Sequence, residues 1–514
     1  MPKCTINGTP VQVKDGATII EAFYQSGVDI AHYCWHPGLS VAGVCRMCMV
    51  EIEGQPKLQI ACNTKVTEGM VINNKSEKVK DSVKWVLDFH LINHPLDCPI
   101  CDQAGECGLQ EQYMKFGKYD PEMDQKKVKK NKVVSLGERV VLDTERCILC
   151  SRCVRFTEEV TKTNELHIVN RGDRSEIGTF DGKPMNNNYS LNTVDICPVG
   201  ALTAKDFRFK QRVWFLKEAN TICPGCSTGC NVRAYMNKQG VYRLKPVHNA
   251  DVNGYWMCDK GRDTYKYTNM DLRLKTAIYS ANGAKTELAP GSAAKQIAAK
   301  IEKIKEAGNQ AKVAVVITAQ YTNEEYEQLF GSLGLMGIKN VYYWINNQST
   351  FDTFDGILFR GDQNPNTVGL LSALDKFGLN KTWDDLEKRL SKGEIDLLII
   401  AGPENQVAYP DMQNKAKLFA QAKEVVWLTA NPVKDAEVMK SAWFVPMKTY
   451  LEKAGTFVNH KGIAQKINVV FTVNSQALTL SEFAILASGM ELGVRPTPLP
   501  GRVQNEYVYH RGSL

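Results

Sequence analysis

The sequence predicts a multidomain protein in which small α+β domains precede a larger α/β domain. Three observations support this fold class. The chain has 514 residues, which is too many for one ordinary core. Fifteen of its sixteen cysteines lie between Cys34 and Cys258, and none follows Cys258. Beyond that point, apolar strand patterns alternate with helical patterns, which is typical of a parallel sheet covered by helices.

Composition excludes several classes of protein. Hydrophobic residues make up 43% of the chain, and the net charge of +7 is mild for this length. The basic residues do not form arginine-rich stripes with interleaved aromatics, so nucleic acid is a poor candidate partner. Apolar runs are shorter than the ~18 residues that span a bilayer, so we expect no direct membrane insertion. Residues 1–6 enter a strand pattern without an apolar signal segment, which predicts a cytoplasmic protein.

The first predicted domain, residues 1–75, alternates polar and apolar residues as a small sheet does. The pattern predicts a hairpin, then a helix, then further strands, at residues 4–8 with 10–14, 18–27, 47–53 and 70–73. This order of elements around a cysteine-bearing loop is typical of a ubiquitin-like, β-grasp sheet.

The second predicted domain, residues 76–134, begins with a helix at 76–93. Ser76 is a suitable N-cap and Pro95 ends the helix, so His94 lies at the helix terminus. A lysine-rich stretch follows the next cysteines, at Lys126, Lys127, Lys129, Lys130 and Lys132. We interpret this stretch as a solvated loop, with a docking patch for an acidic subunit as the alternative.

Two further cysteine-bearing domains are predicted at 135–215 and 216–275, followed by an α/β domain at 276–514. Its predicted strands and helix lie at 313–317, 323–333 (the helix), 340–343, 395–401 and 424–428. No G-x-G-x-x-G or P-loop motif follows these strands, so nucleotide binding is not predicted. The tail from Arg495 contains three prolines and is predicted to be extended.

Fifteen cysteines and one histidine form four successive sets of four, at spacings typical of iron–sulfur ligands. Disulfides are disfavoured in a reducing cytoplasm, whereas metal ligation gives clustered thiols a use. The sets are Cys34, Cys45, Cys48 and Cys62; His94, Cys98, Cys101 and Cys107; Cys147, Cys150, Cys153 and Cys197; and Cys223, Cys226, Cys230 and Cys258. Cys4 is left over, and we assign it no role because a free cysteine usually packs as a small hydrophobe.

The first two sets predict different clusters. The first set has a long loop and one distant cysteine, as a two-iron cluster with two thiolates on each iron requires. Zinc is the alternative, although zinc prefers two paired C-x-x-C knuckles. The second set offers three thiolates and an imidazole. Three neighbouring cysteines form an incomplete four-iron site, so we predict His94 as the fourth ligand, a neutral one that raises the cluster potential.

The last two sets both favour four-iron clusters. The third combines the spacing C-x-x-C-x-x-C with Cys197, which precedes a proline as in bacterial ferredoxins. The fourth has the spacing C-x-x-C-x-x-x-C with Cys258 as a remote fourth ligand. Zinc is a more serious alternative at this last set, because C-x-x-C is also a zinc knuckle. A zinc-bound scaffold is therefore a competing class, which iron analysis separates from an iron–sulfur protein.

These motifs resemble the large iron–sulfur subunit (the G subunit) of respiratory complex I, the NADH-quinone oxidoreductase. The resemblance covers about half of the chain and rests on the runs VCRMCMVE at 44–51, LINHPLDCPICD at 91–102 and RCILCSRCVRF at 146–156. It implies one 2Fe–2S cluster and three 4Fe–4S clusters, with His94 as a ligand. It also implies that the chain serves a proton-translocating oxidoreductase without a catalytic site of its own.

The same resemblance implies a route for electrons, partners and a location. Electrons would arrive from the flavin- and NADH-binding subunit and leave toward the quinone-side iron–sulfur subunits, with the small two-iron subunit as a further partner. The chain would lie at the cytoplasmic face of the inner membrane. In this family the fourth cluster lies off the main route, so the fourth set implies cluster binding more firmly than electron transfer.

The C-terminal part is similar to the molybdopterin-oxidoreductase fold, through the run EKAGTFVN at 452–459 followed by Gly462 and Gln465. No cysteine follows Cys258 to hold molybdenum, and the part is short. We therefore expect a truncated domain without molybdopterin, flavin or NAD. The alternative is an NAD-dependent formate dehydrogenase-like or a hydrogenase-associated iron–sulfur subunit, and the missing thiols argue against both.

Overall fold

The computed structural model describes residues 1–118, 125–281, 283–346, 348–379, 381–434 and 436–493. The chain forms two compact units, and the second begins at Lys217. Both combine helices with sheets, which confirms the predicted multidomain α+β and α/β class. Within the described ranges, no helix combines the length and the hydrophobicity that a membrane span needs. The predicted extended tail from Arg495 lies outside these ranges.

The N-terminal sheet has five strands in the order β2-β1-β5-β3-β4. Its elements are β1 (Lys3–Ile6), β2 (Thr9–Gln12), α1 (Ile19–Ser26), β3 (Met49–Ile52), β4 (Gln59–Ile60) and β5 (Met70–Asn73). Strand β1 pairs antiparallel with β2 and parallel with β5. Thr18 and Glu21 form a capping box at the start of α1, and Gly27 ends the helix with a φ of 68°. The predicted hairpin, helix and strands are thus confirmed.

The rest of the first unit consists of short elements around the cysteine loops. They are α2 (Glu77–Leu91), α3 (Gly108–Phe116), β6 (Val134–Ser135), β7 (Val140–Leu142), α4 (Arg152–Arg155), β8 (His167–Val169), β9 (Glu176–Gly178), α5 (Asn192–Asp195) and β10 (Leu202–Ala204). The strands form a β10-β7-β6 sheet and a β8-β9 hairpin. As predicted, Ser76 caps α2, because its hydroxyl accepts a hydrogen bond from the Val79 amide at 3.4 Å.

The lysine-rich stretch is partly exposed and partly bound to the first unit. Lys127 Nζ donates to the carbonyls of Leu91 and Ile92, at 2.9 and 3.1 Å. Lys132 Nζ lies 2.6 Å from Asp97 and 2.7 Å from Glu145. The solvated-loop prediction is therefore wrong for the half-buried Lys127, whereas Lys126, Lys129 and Lys132 are exposed as predicted. The physical reason is that the free carbonyls at the end of α2 and nearby carboxylates attract cations.

The second unit begins with a three-stranded antiparallel sheet and a short helix, namely β11 (Lys217–Ile222), β12 (Asn231–Asn237), β13 (Gly240–Pro246) and α6 (Asp259–Arg262). A seven-stranded sheet follows in the order β15-β14-β20-β19-β18-β16-β17. The remaining elements are β14 (Ala277–Ala281), β15 (Ala284–Leu288), α7 (Pro290–Glu306), β16 (Val313–Ile317), α8 (Asn323–Leu335), β17 (Val341–Tyr343), α9 (Thr367–Lys376), α10 (Trp383–Ser391), β18 (Leu397–Ala401), α11 (Met412–Phe419), β19 (Glu424–Thr429), β20 (Ser441–Pro446), β21 (Gly455–Val458), β22 (Ala464–Ile467) and α12 (Leu480–Ala487).

The large sheet is covered by helices on both faces. Along β16, Val313, Val315 and Ile317 pack in a cluster with residues of α7, α8, α9 and α12. Ala314 and Val316 point to the opposite face and pack with residues of α10 and α11. Strands β17, β16, β18, β19 and β20 are parallel, and β14 adds antiparallel to β20. The predicted parallel α/β sheet is therefore confirmed, and its continuous apolar strands reflect burial on both faces.

Candidate metal centres

The first set lies in loops of the N-terminal sheet and forms two pairs of thiols. All four cysteines are at most 5% exposed. A hydrogen bond from Cys45 lowers the pKa of the Cys34 thiol to about 5. Cys48 donates in the same way to Cys62 and lowers the pKa of that thiol. The two thiols of each pair are thus in hydrogen-bond contact, which fits a cluster with two thiolates on each of two irons.

Left-handed backbone conformations shape the cysteine turns. Arg46, Leu149 and Ser151 have φ values of 57°, 54° and 58°, although none is a glycine. The Leu149 amide donates to Cys147 Sγ at 3.4 Å. Side chains rarely adopt these conformations unless the surrounding structure imposes them, and such residues concentrate at functional sites. These three residues were not predicted from the sequence. Their positions inside C-x-x-C turns are the signal that could have identified them.

The second set is more open than the first. Cys107 is buried, Cys101 is partly buried and Cys98 is exposed. Burial raises the pKa of Cys101 and Cys107, and the nearby thiols raise it further. The charge of Arg146 acts on both Cys101 and His94, so Arg146 lies near both side chains. In the described part of the chain, no hydrogen bond joins His94 to these cysteines.

His94 is a half-buried residue whose ring has an unsatisfied nitrogen that is shielded from solvent. Among the described residues, none forms a hydrogen bond with its Nδ1 atom. Burial, followed by the charges of Arg146 and Lys127, lowers the pKa of His94 to about 4. The ring is therefore neutral at pH 7, which is the form that binds metals. It lines a cavity of about 180 Å³ that also includes Phe89, His90, Lys130, Glu145 and Cys147. A buried nitrogen without a partner fits a ligand role.

The four thiols of the third set surround one small, largely apolar cavity. The cavity has a volume of about 20 Å³, and Cys147, Cys150, Cys153 and Cys197 all line it, together with Leu142, Ile177, Val199 and Leu202. Burial raises the pKa of Cys147 to about 12 and that of Cys197 to about 11. Thiols in such surroundings ionise only beside a positive centre, so this donor set fits a metal cluster.

The fourth set, in the second unit, is buried throughout, with each cysteine 4% or 5% exposed. Cys258 is the N-cap of α6, and the Gly261 amide donates to its sulfur at 3.2 Å. The Gly225 amide donates to Cys223 Sγ at 3.4 Å. A Cβ atom at Gly261 would lie 3.0 Å from Cys223 Sγ, so glycine permits this close approach. Amide donors and glycines around four buried thiols fit a cluster, which needs hydrogen bonds to its sulfurs.

The second and third sets meet at the turn that follows Cys197. The Gly108 amide, next to Cys107, donates to the Pro198 carbonyl at 2.9 Å. A Cβ atom at Gly200 would lie only 2.2 Å from Cys101 Sγ. The turn therefore touches two members of the second set. Within the described ranges, no group of three or more His, Cys, Asp and Glu side chains is arranged to hold a single metal ion.

Four family models match the chain, and each spans one of the four sets. They are the 2Fe-2S iron-sulfur cluster binding domain at residues 3–77, the NADH-ubiquinone oxidoreductase-G iron-sulfur binding region at 84–121, the ferredoxin-like domain of NADH-quinone oxidoreductase subunit 3 at 137–203, and the Molybdopterin oxidoreductase Fe4S4 domain at 216–270. The N-terminal two-iron ferredoxin domain, the four-iron domains and the start of a molybdopterin-oxidoreductase-like part are thus identified, as predicted.

Curated proteins match over about half of the chain. The G subunit of the NADH-quinone oxidoreductase of Streptomyces coelicolor is 40% identical over 290 residues, which are 56% of this chain and 34% of that protein. The mitochondrial NADH dehydrogenase (ubiquinone) iron-sulfur protein 1 of Solanum tuberosum is 44% identical over 263 residues, which are 51% of this chain and 35% of that protein. A solved NAD+-reducing NiFe hydrogenase, in the H2-reduced state, aligns at 27% identity and a TM-score of 0.38, over 41% of this chain and 91% of that one.

The matched region spans about a third of the length of these two curated relatives. Over about half of its length, this chain is therefore similar in sequence to the G subunit of an NADH-quinone oxidoreductase and to a mitochondrial NADH dehydrogenase iron-sulfur protein.

Proposed function

We propose that this chain carries electrons within a proton-translocating NADH-quinone oxidoreductase. One observation carries the proposal: each of the four matched iron–sulfur regions contains one full set of ligand-type side chains at cluster spacing. The chain then serves the enzyme as a conductor, and substrate oxidation takes place on another subunit.

The proposed ligands form one two-iron site and three four-iron sites. The paired thiols of the first set support a 2Fe–2S cluster, and the cavity between the thiols of the third supports a 4Fe–4S cluster. The unsatisfied imidazole supports a histidine ligand in the second site. The sites are Cys34, Cys45, Cys48 and Cys62 (2Fe–2S); His94, Cys98, Cys101 and Cys107 (4Fe–4S); Cys147, Cys150, Cys153 and Cys197 (4Fe–4S); and Cys223, Cys226, Cys230 and Cys258 (4Fe–4S).

Such clusters accept and release single electrons when bound. The chain's own residues keep the three sites of the first unit in contact. Arg155 Nη2 donates to the carbonyls of Cys34 and Cys150, at 2.6 and 3.3 Å, and thus joins the first site to the third. The Pro198 turn joins the third site to the second. This contiguity supports a relay in the order first, third, second.

The proposed partners follow from the homology. We infer contacts with the flavin- and NADH-binding subunit, the small two-iron subunit and the quinone-side iron–sulfur subunits of the peripheral arm. We place the assembled chain at the cytoplasmic face of the inner membrane. Cys98 is exposed, so a partner subunit must cover that thiol for the cluster to be shielded from water. A partner at this position supports an electron exit near the second site.

We propose that the C-terminal α/β domain has a structural and docking role. Gln465 Nε2 donates to the Gly229 carbonyl at 2.8 Å, and Asn231 Nδ2 donates to Gln465 Oε1 at 2.7 Å. The Ser227 amide donates to the Asp362 carbonyl at 2.9 Å. The domain therefore holds the loop of the fourth set in place. We expect metal analysis of the purified chain to find no molybdenum, and stoichiometric molybdenum would refute this role.

Iron analysis with low-temperature electron paramagnetic resonance (EPR) tests the cluster assignment. The full chain should hold about 14 iron atoms, from one two-iron and three four-iron clusters. Cys48→Ser should remove the two-iron signal. Cys4→Ser is the matched control, because Cys4 is also buried in the N-terminal domain but belongs to no set, and it should leave every signal intact. About four zinc ions and no EPR signal would instead establish the zinc scaffold.

A second experiment tests the conductor role. The purified chain should not oxidise NADH alone, and its clusters should become reduced by NADH only when a flavin-bearing subunit is added. Sustained NADH turnover by the pure chain would contradict the proposal.

A further inference from the structure

Arg152 occupies a buried position between the first and third sites. It begins α4, between Cys150 and Cys153, and is only 1% exposed. Its Nη2 donates to the Trp35 carbonyl at 2.6 Å, and its Nη1 donates to the Ile196 carbonyl at 3.0 Å. Trp35 follows the first ligand of one site, and Ile196 precedes the last ligand of the other. One guanidinium therefore spans both sites.

Among the described residues, this guanidinium has no carboxylate partner. In the described part of the chain, Arg152 forms no ion pair, and its Nε has no hydrogen-bond partner. Arg146, which is also buried, differs because it lies 3.0 Å from Asp97 and 3.2 Å from Asp143. A buried cation without a counter-charge is strongly unfavourable, so carbonyl dipoles alone do not account for Arg152.

The charge of Arg152 lies close to thiols of both sites. Its hydrogen-bond partners Trp35 and Ile196 are the chain neighbours of Cys34 and Cys197. The guanidinium also lies within electrostatic range of Cys45 of the first site and of Cys150 and Cys197 of the third. The field of this one cation therefore extends across both sites.

We propose that Arg152 is an electrostatic bridge, a positioning residue whose fixed charge is shared by the clusters of the first and third sites. This inference rests on the proposed function, since the clusters and their thiolates supply the missing negative charge. A positive charge favours the reduced, more negative state of each cluster. Arg152 therefore raises both midpoint potentials together and keeps the two sites matched for transfer.

Redox titration of the full, cluster-bearing chain, followed by EPR, measures both midpoints. In Arg152→Gln, the equilibrium constant for reduction should fall about tenfold at each site, which is about 59 mV for a one-electron couple. The exposed Arg171→Gln is the matched control and should change neither midpoint. A purely structural arginine would change signal intensity without this joint shift.

Two results for Arg152→Gln would overturn the bridge. In the first, the equilibrium constants for reduction at both sites stay within twofold of the wild type. In the second, the constant changes at one site alone. If Arg152→Gln loses both signals, Arg152→Lys decides, because it keeps the charge. The bridge requires that Arg152→Lys retains both signals at their wild-type midpoints, and loss of both signals in Arg152→Lys refutes it. A wild-type chain without iron–sulfur signals would refute the proposed function instead, so the two failures are distinguishable.

Discussion

Replacing Lys453 with methionine should destabilise the second unit strongly. The Lys453 Nζ lies 3.0 Å from Glu325 and 3.2 Å from Glu404, and all three side chains are at most 5% exposed. Glu404 also accepts hydrogen bonds from the Tyr267 hydroxyl at 2.9 Å and the Tyr450 amide at 2.7 Å. Methionine has a similar length but no charge, so the variant leaves two buried carboxylates without a cation.

The free energy of opening of the second unit should fall by about 3–5 kcal/mol, because removing one partner of a buried ion pair leaves an uncompensated buried charge. Lys376→Met is the matched control, since that lysine pairs with Glu327 at 2.7 Å but the two side chains are 62% and 55% exposed. Its cost should be about 0–1 kcal/mol. Hydrogen exchange of the β18 amides measures both free energies of opening in the same unit. Equal values for the two variants would refute this electrostatic reasoning.

The same cluster predicts a dependence on pH. Burial raises the pKa of Glu404 above its ordinary value. A carboxyl with a raised folded-state pKa contributes stability below the ordinary glutamate pKa and loses it as pH rises through the folded value. As pH rises from the ordinary glutamate pKa through the folded-state pKa of Glu404, the second unit should therefore lose stability relative to the Glu404→Gln variant. For Lys453, burial opposes ionisation, but Glu325 and Glu404 raise its pKa, so its contribution is present at neutral pH and lost only at alkaline pH.

Two substitutions test the second site. His94→Cys should keep a cluster but lower its midpoint, because a thiolate adds negative charge, and an unchanged midpoint in an EPR redox titration would count against ligation. Gly200→Ala should displace Cys101, since the new Cβ lies 2.2 Å from its sulfur, and iron analysis should show a loss of about four atoms per chain. Gly291→Ala meets no atom within 4 Å and should leave the iron content unchanged, so equal iron in both variants would contradict the steric argument.

The elements that the sequence predicted are those with strong local signals. Thr18 and Gly27 mark the two ends of α1, and the short run at 313–317, rich in β-branched valine and isoleucine, favours a strand buried on both faces. The hairpin β14-β15 and strand β20 were not predicted. Every residue of β15 retains exposure, and β20 is a short apolar run whose periodicity does not distinguish strand from helix. Their antiparallel attachment depends on tertiary pairing, which local patterns do not encode.

The candidate ligands were predictable because cluster chemistry imposes spacing on the sequence. The residues that surround the ligands were not. The partners of Arg152 lie 44 and 117 residues away along the chain, so no local pattern relates them. The binding of Lys127 was not predicted for the same reason, because its carbonyl partners Leu91 and Ile92 lie 36 and 35 residues away. Sequence spacing identifies donors within one loop, whereas electrostatic compensation between loops requires the fold.

Each of the two units buries a cation, and the two cations differ in how their charge is balanced. Lys453 is buried between two carboxylates of its own unit, so its charge is balanced before any cofactor binds. Arg152 is buried to a similar extent, but among the described residues it has carbonyl partners and no carboxylate. A fold does not retain an unbalanced buried cation without a reason, because its removal from water costs several kcal/mol. The described residues of the first unit therefore offer Arg152 no carboxylate, and the clusters proposed for the thiols on either side of it would supply that negative charge.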